Sequence, residues 1–172
     1  MFFLRHQFDK IYNKYLNKIY RFVYLKIGSQ ETAEDLTAQV FIKYWRKLKD
    51  RKRIKNIQAY LYQIARREVI DFYRRQKNIK IIFPEFSQEI LEQIIDSQMG
   101  IEEKLILQKD LEIIYQTLAH LSDNYQNLII WYYLDELRIK EIAEIMEKSE
   151  GAVRVMLFRA LQELREKLKS KL

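Results

Sequence analysis

The chain has 172 residues, a net charge of +7, one proline, three glycines and no cysteine. Without cysteine it forms no disulfide, thiolate metal site or cysteine nucleophile, and its two histidines, His6 and His120, lack metal-ligand spacing. Its apolar runs are too short for a membrane span or a signal peptide, so we expect a cytoplasmic protein. The scarcity of helix breakers predicts an all-α fold.

The charge is unevenly distributed along the chain. Residues 1–80 hold 20 Lys and Arg against 7 Asp and Glu, residues 81–109 hold 2 against 6, and residues 110–172 hold 9 against 11. The basic first part indicates a polyanionic partner. Residues 81–109 are acidic and are not expected to bind a polyanion.

Three segments of helical apolar spacing occupy the first 77 residues. Gly28 is the expected stop of the first helix, and a charged loop without periodicity covers residues 49–56. Because the connections are short, we expect a compact bundle over residues 1–77. The helices are predicted from Phe8 to about Ile27, from Ser29 or Thr32 through Tyr44, and from about Ile57 to Lys77.

Residues 78–104 are predicted to form a flexible acidic linker with a short helical turn, because they hold the only proline, Pro84, together with Gly100, several acids and isolated apolar pairs. Helical spacing then resumes, which predicts a second small helical domain over residues 105–172. Within it, a short helix, a turn at 147–149 and a last helix capped by Ser149 have helix-turn-helix spacing. We therefore expect two small all-α domains, an N-terminal bundle and a C-terminal helix-turn-helix domain.

The outward face of the last helix has the composition of a DNA-reading surface. In a helix-turn-helix, the first turns of the second helix meet base edges, and arginine donates to guanine or phosphate. A plain helical hairpin with a solvated charged face is the alternative, although an aromatic residue on such a face is unusual. The candidate residues are Arg154, Val155, Phe158 and Arg159.

The third helix combines basic and aromatic side chains. Arg67 and Arg75 each lie four residues from Asp71 and can form ion pairs with it. Arg66, Arg74 and Lys77 are then left unpaired. Basic groups follow phosphates and aromatic faces stack on unpaired bases. Single-stranded DNA is therefore one interpretation of this helix, and a solvated charged face is the other.

The second helix carries Phe41 and Trp45, which are either core residues, as most aromatics at this spacing are, or a surface for a partner protein. The sequence shows no Gly-rich phosphate loop and no histidine paired with carboxylates at ligand spacing. We therefore expect no enzymatic activity, no cofactor and no metal site.

Three segments, in this order and spacing, resemble the extracytoplasmic-function (ECF) group of the sigma-70 family. The resemblance covers about residues 8–77 and 105–168. It implies a sigma factor that directs core RNA polymerase to specific promoters and starts DNA melting. The segments are AEDLTAQVFIKYW (33–45), AYLYQIARREVIDFYRR (59–75) and LSDNYQNLIIWYYLDELRIKEIAEIMEKSEGAVRVMLFRALQELR (121–165).

The resemblance implies a role for each part of the chain. The second helix would dock on the clamp helices of the polymerase's largest subunit, the loop and third helix would melt the minus-ten element, and the last helix would read the minus-thirty-five element while resting on the polymerase flap. The implied residues are Asp35, Gln39, Phe41 and Trp45 for polymerase; Arg51, Lys52, Arg53, Tyr60, Tyr62, Gln63, Arg67, Arg74 and Arg75 for the minus-ten element; and Arg154, Val155, Phe158 and Arg159 for the minus-thirty-five element.

Several positions depart from the family pattern. Ala38-Gln39 stands where the family usually has Gln-Glu, which removes one acidic contact to polymerase. Arg67 replaces a frequent Asn, which puts the identity of the minus-ten bases in doubt. Glu147 stands where many members have glycine, so we expect the turn to close without the usual left-handed residue, at a modest cost. The other departures are Tyr60 for Trp, Ala152 for Thr, and Val155 and Met156 at positions that are often polar or basic.

Two other classes of function stay open at this point. A stand-alone helix-turn-helix regulator would bind duplex DNA unaided, although a net charge of −2 over residues 110–172 is weak for that role. A protein whose basic half binds RNA is the other alternative. The resemblance also makes an anti-sigma factor a candidate partner, whereas no small-molecule substrate is expected.

Overall fold

The computed structural model describes residues 2–51, 53–76, 84–95 and 101–170, and the all-α fold is confirmed. Within these ranges no helix is both long and apolar enough to cross a membrane. The helices are α1 (Phe2–Ile27), α2 (Gln30–Lys49), α3 (Ile57–Arg75), α4 (Gln88–Ile94), α5 (Ile101–Leu118), α6 (Asp123–Ile129) with a π-helical continuation (Ile130–Leu134), α7 (Ile139–Met146) and α8 (Glu150–Lys169).

The first three helices pack around one apolar core, as predicted. Local caps set where the helices begin: Ser29 Oγ accepts from the Thr32 N–H (3.4 Å), and Asn56 Oδ1 accepts from the Ala59 N–H (3.0 Å). Gly28 ends α1 with φ of 71°, a conformation that glycine adopts without steric cost. Fully buried side chains of this bundle include Ile19, Phe22, Tyr44 and Leu61.

Part of the predicted linker is folded. Helix α4 begins after Ser87, whose Oγ accepts from the Ile90 N–H (3.3 Å), and it packs against α1 with Ile90 fully buried. Helix α5 begins at Ile101, ahead of the predicted domain start at residue 105. A short helical turn was predicted within this linker, but α4 has seven residues and packs on the bundle, which so short a pattern does not reveal. Lys77 of the predicted third helix and residues 78–83 and 96–100 of the predicted linker lie outside the described residues.

The C-terminal half contains the predicted helix-turn-helix, formed by α7, the turn and α8. Ser149 Oγ accepts from the Ala152 N–H (3.1 Å) and caps α8. Glu147 adopts the left-handed conformation, with φ of 55° and ψ of 43°. The expectation of a turn without a left-handed residue is therefore corrected: the usual backbone geometry is kept, at a cost of about 1 kcal/mol for a residue with a Cβ.

The two halves pack directly against each other, which the sequence did not predict. Helix α7 lies on α3. At the centre of the contact, the Trp131 ring stacks on Phe22 with centroids 5.6 Å apart and meets the Tyr62 ring edge-on at 6.0 Å. All three rings are fully buried. The N-terminal bundle and the helix-turn-helix therefore share one continuous core.

A buried hydroxyl in the first bundle gives a stability prediction. Tyr44 is fully buried, and its hydroxyl has no hydrogen-bond partner among the described residues. Because an unsatisfied buried hydroxyl is unfavourable, we expect Tyr44→Phe to leave the free energy of unfolding unchanged or to raise it by up to about 1 kcal/mol. Tyr62→Phe, which loses a hydrogen bond to Asp135, should instead lower it by about 1 kcal/mol or more. Urea denaturation measures both, and a clear loss of stability in Tyr44→Phe would contradict the prediction.

Candidate nucleic-acid interface

The face of α8 that points away from the core carries the residues expected to read duplex DNA. Phe158 and Val155 are 67% and 50% exposed, and Arg154 and Arg159 are exposed beside them. The ion pair between Arg154 and Glu150 (3.5 Å) is exposed and weak enough to yield to a phosphate. The predicted orientation is confirmed, whereas the role in DNA reading stays a prediction. The opposite face is buried through Val153, Leu157, Ala160 and Leu164.

A second basic surface lies where the loop after α2 meets the start of α3. A pocket there combines basic side chains, an aromatic ring and side-chain amides. Lys47 Nζ lies 5.8 Å from the centre of the Tyr60 ring, within cation–π distance. This combination suits an unpaired base together with its phosphate. The polar and aromatic residues of this loop–α3 pocket are Lys47, Arg53, Lys55, Asn56, Tyr60, Gln63, Glu144 and Glu147.

The C-terminal half reaches into the loop–α3 pocket. The Glu144 carboxylate accepts a hydrogen bond from the Asn56 side-chain amide. Gln63 Nε2 donates to the backbone oxygen of Ile145 (3.1 Å), and Glu147 also lines the pocket. The end of α7 therefore covers part of the surface expected to meet the minus-ten element.

The basic residues expected at the minus-ten element are on the surface wherever they are described. Arg51 and Arg53 are exposed on the loop, and Lys52 lies outside the described residues. The other exposed members are Arg67, Arg74 and Arg75 on α3.

The ion pairing along α3 differs from the prediction. The Asp71 carboxylate lies 3.7 Å from Arg74, three residues further on, whereas the prediction paired it with Arg67 and Arg75. The expectation that Arg74 is unpaired is therefore wrong. Spacings of three and four residues both bring side chains together on a helix, and side-chain rotamers select between them.

Tyr62 does not belong to the exposed surface. It is fully buried, and its hydroxyl donates to Asp135 Oδ2 (2.9 Å) in the C-terminal half. Burial and the neighbouring Asp135 charge raise the pKa of Tyr62 above its ordinary value. The expectation that Tyr62 contacts minus-ten DNA is corrected for this arrangement, because the C-terminal half covers the ring.

A buried cluster around Lys26 joins α1, α3 and α6. Lys26 Nζ donates to Asp123 Oδ1 (2.8 Å) and to Gln126 Oε1 (2.6 Å), and Arg66 donates to Asp123 Oδ2 (3.3 Å) and Asn124 Oδ1 (2.8 Å). The prediction of an unpaired Arg66 is therefore wrong, since its partners come from another helix. Burial lowers the pKa of Lys26, and the Asp123 carboxylate opposes that shift.

A second buried cluster surrounds Asp135, directly after the π-helical turn. Arg21 Nε donates to its carboxylate (3.1 Å), and Arg21 Nη2 donates to the Leu134 carbonyl oxygen (2.7 Å). Burial raises the pKa of Asp135, while hydrogen bonding to Arg21 lowers it. Neither cluster was predicted from the sequence. The available signal was a charged residue inside or just after a strongly apolar run, as at Lys26 and Asp135.

The outer face of α2 combines polar and aromatic residues. Asp35 and Gln39 are exposed, Trp45 is half-buried and Phe41 is buried. Phe41 is therefore a core residue, which was one of the two alternatives, whereas Trp45 reaches the surface. A groove between α1 and α2 is lined by further apolar residues that were not among the predicted contacts to polymerase, namely Phe8, Tyr12 and Ile42.

The comparisons with known proteins agree with this layout. Residues 11–79 match the model of Sigma-70 region 2, and residues 111–164 match that of Sigma-70, region 4. The chain is 30% identical to the ECF RNA polymerase sigma factor SigM of Bacillus subtilis over 91% of this chain and 92% of that protein. It is 32% identical to the RNA polymerase sigma factor YlaC of the same species over 95% and 93%.

A solved structure shows the same fold. The sigma factor RpoE of Bartonella quintana, determined in complex with the anti-sigma factor NepR, superimposes with a TM-score of 0.66 at 23% identity, over 95% of this chain and 97% of that one. The matches to both family regions, together with the full-length relatives, establish that the chain belongs to the ECF group of the sigma-70 family and is an RNA polymerase sigma factor.

Proposed function

We propose that this sigma factor selects promoters with two separate surfaces: α8 reads the minus-thirty-five element, and the loop–α3 pocket takes the minus-ten element. The observation that carries the proposal is the exposed face of α8, which presents arginine and apolar side chains from a helix-turn-helix. The protein supplies recognition and has no catalysis of its own. It acts beside the polymerase, in the cytoplasm.

The α8 face is suited to the major groove. Arg154 and Arg159 can donate to guanine or to phosphate, and Val155 and Phe158 can contact thymine methyl groups. Because the net charge of residues 110–172 is −2, this half has little electrostatic affinity for DNA by itself. Polymerase must therefore hold α8 at the promoter.

The loop–α3 pocket is suited to a strand whose bases are unstacked. Arg51 and Arg53 can follow the phosphates, Tyr60 offers a face for stacking, and the Gln63 amide can read a base edge. Arg67, which is exposed one helical turn beyond Gln63 on α3, replaces the expected Asn and adds a cation. Further contacts to the DNA backbone come from Arg74 and Arg75.

Helix α2 is proposed as the docking surface for the polymerase. Asp35 and Gln39 are exposed, and Trp45 with Ile42, which is 40% exposed, supplies an apolar patch beside them. Phe41 supports this patch from the core. An apolar centre with a polar rim is the usual composition of a protein interface.

Transcription in vitro tests the proposal. The protein is mixed with core RNA polymerase, free of other sigma factors, on fragmented genomic DNA of its source. Discrete transcripts that require the protein are expected, and their upstream sequences will define both promoter elements. Absence of transcripts, together with a shift of duplex DNA by the protein alone, would instead indicate a stand-alone regulator.

Substitutions on α8 test its proposed role. On a promoter identified in this way, Phe158→Ala and Arg159→Ala should each reduce transcript yield about tenfold, as expected for the loss of one contact to a base. Glu163→Ala is the matched control, because it lies on the same helix beyond the proposed reading face. Equal yields from all three variants would show that α8 does not read DNA through these residues.

A further inference from the structure

The end of α7 places negative charge where the proposed function requires DNA. Glu144 and Glu147 line the loop–α3 pocket opposite Lys47, Arg53 and Lys55. The last carbonyl groups of α7 add the negative end of a helix dipole at the same point. The pocket thus holds the kind of charge that a DNA phosphate would bring.

Specific hydrogen bonds fasten this acidic segment in the pocket. The Glu144 carboxylate accepts from Asn56, the residue that caps α3. Gln63 uses its side-chain amide on the backbone oxygens of Ile145 (3.1 Å) and Glu144 (3.4 Å). A Gln63 amide engaged in this way is not available to a base.

The backbone at Glu147 supports a role for its side chain. Its φ of 55° lies in the left-handed region, which favours glycine. A residue other than glycine in this strained conformation is a reason to look for a function there. At this position the Glu147 side chain lies in the loop–α3 pocket.

The other two working surfaces stay open in the same arrangement. Phe158 is 67% exposed and both arginines of the α8 face are exposed. Asp35 and Gln39 of α2 are exposed as well. The packing of the two halves therefore covers part of the loop–α3 pocket. It leaves the exposed face of α8 and the polymerase-docking face of α2 accessible.

We propose that the free sigma factor is self-inhibited, with the Glu144–Glu147 segment occupying the loop–α3 pocket as an internal substitute for the minus-ten strand. This proposal rests on the proposed function, in which that pocket takes the minus-ten element. Core polymerase can dock on α2 while the pocket is occupied. Promoter melting requires the segment to leave.

Binding of single-stranded DNA tests the occupancy of the pocket. The probe is fluorescein-labelled oligo(dT) of about 12 nucleotides, within the range that single-strand sites span, and its anisotropy is followed on adding the full-length protein without polymerase. Removing both carboxylates with Glu144→Ala and Glu147→Ala should tighten binding about tenfold, because a larger fraction of the protein is then competent to bind.

The control removes the same charge elsewhere. Glu163→Ala with Glu166→Ala, on the last turns of α8, should change the affinity less than about threefold, which measures the general electrostatic effect of two lost carboxylates. Equal tightening in both double variants would overturn the proposal. Unchanged affinity in the Glu144–Glu147 variant would overturn it as well.

A covalent lock tests whether opening is needed for initiation. The chain has no cysteine, so Arg66→Cys with Asn124→Cys supplies a unique pair at a contact outside the loop–α3 pocket. Joined by a short bismaleimide, the protein should still bind core polymerase but give at most about a tenth of the transcripts of the same variant treated with N-ethylmaleimide. Equal transcript yields would overturn self-inhibition.

Failure of the proposed function would give a different result from failure of self-inhibition. In that case wild-type protein gives no promoter-dependent transcripts with core polymerase. The comparison of the two double variants on oligo(dT) still decides whether the Glu144–Glu147 segment blocks the pocket.

Discussion

Replacement of Trp131 by alanine is expected to lower the free energy of unfolding by about 3–5 kcal/mol. The indole is fully buried and contacts the rings of Phe22 and Tyr62, with centroids at 5.6 and 6.0 Å. Truncation leaves a cavity with walls from both halves of the molecule, and such a cavity closes only if the halves move. Urea denaturation followed by circular dichroism measures the loss.

The neighbouring Tyr132 provides the control for this prediction. It lies on the same π-helical turn but is 37% exposed, and its ring meets that of Tyr133 on the surface. Tyr132→Ala should therefore change the free energy of unfolding by less than about 1 kcal/mol. If the two variants were equally stable, Trp131 would not be the centre of the contact between the halves.

Replacement of Asp123 by alanine should destabilise the protein by about 3 kcal/mol. Its carboxylate forms an ion pair with Lys26, whose side chain is only 1% exposed. After the substitution the ammonium is still buried, with the neutral Gln126 amide oxygen beside it. Removing a carboxylate from beside a buried charge is more costly than the net value of the ion pair. Urea denaturation at neutral pH measures the effect.

Lys26→Met tests the asymmetry of the same ion pair. Asp123 is 20% exposed and remains in contact with Arg66 at 3.3 Å, so it tolerates the loss of Lys26. We expect a change of less than about 1.5 kcal/mol, since methionine has a similar shape and needs no partner. Adding Lys26→Met to Asp123→Ala should recover most of the stability lost in Asp123→Ala, as a double-mutant cycle can show. A simple sum of the two single effects would contradict a direct interaction.

The Asp123→Ala variant should also regain stability as the pH rises. Burial lowers the pKa of Lys26 in the folded protein, and the Asp123 carboxylate opposes this, so its removal lowers the pKa further. At pH values between the lowered pKa of Lys26 in the folded protein and its ordinary pKa in the unfolded chain, the unfolded chain binds more protons than the folded one. The free energy of unfolding therefore increases with pH in this range. Between about pH 7 and pH 10 the difference from wild type should shrink. A constant difference would mean that Lys26 is not the source of the lost stability.

The helices and their ends follow from local sequence. Ser29, Asn56 and Ser149 cap helices within three residues of their own position, so the information needed to predict them is contiguous. The same holds for the orientation of the α8 face, because helical periodicity separates Val153 and Leu157, which are buried, from its exposed residues. The fold class and the exposure of the residues proposed to read the minus-thirty-five element could therefore be predicted from the sequence.

The minus-ten surface could be predicted only in part. Exposure of the loop arginines and of Arg67 followed from the charge of the segment. Tyr62 was misplaced, because it is covered by Asp135 and Trp131, each about 70 residues further along the chain. The apolar periodicity of α3 shows which of its sides packs within the N-terminal bundle. It does not show whether a distant segment, here the one that holds Trp131 and Asp135, packs on another side.

The helix-turn-helix and the distribution of charge between the halves follow from the sequence, whereas α4 was expected only as a short helical turn within a flexible linker. The tertiary structure alone decided that Lys26 meets Asp123 and that the acidic end of α7 lies in the loop–α3 pocket. The physical reason is that capping and periodicity act over three to four residues, whereas burial of charge and of aromatic rings depends on which distant surfaces come together.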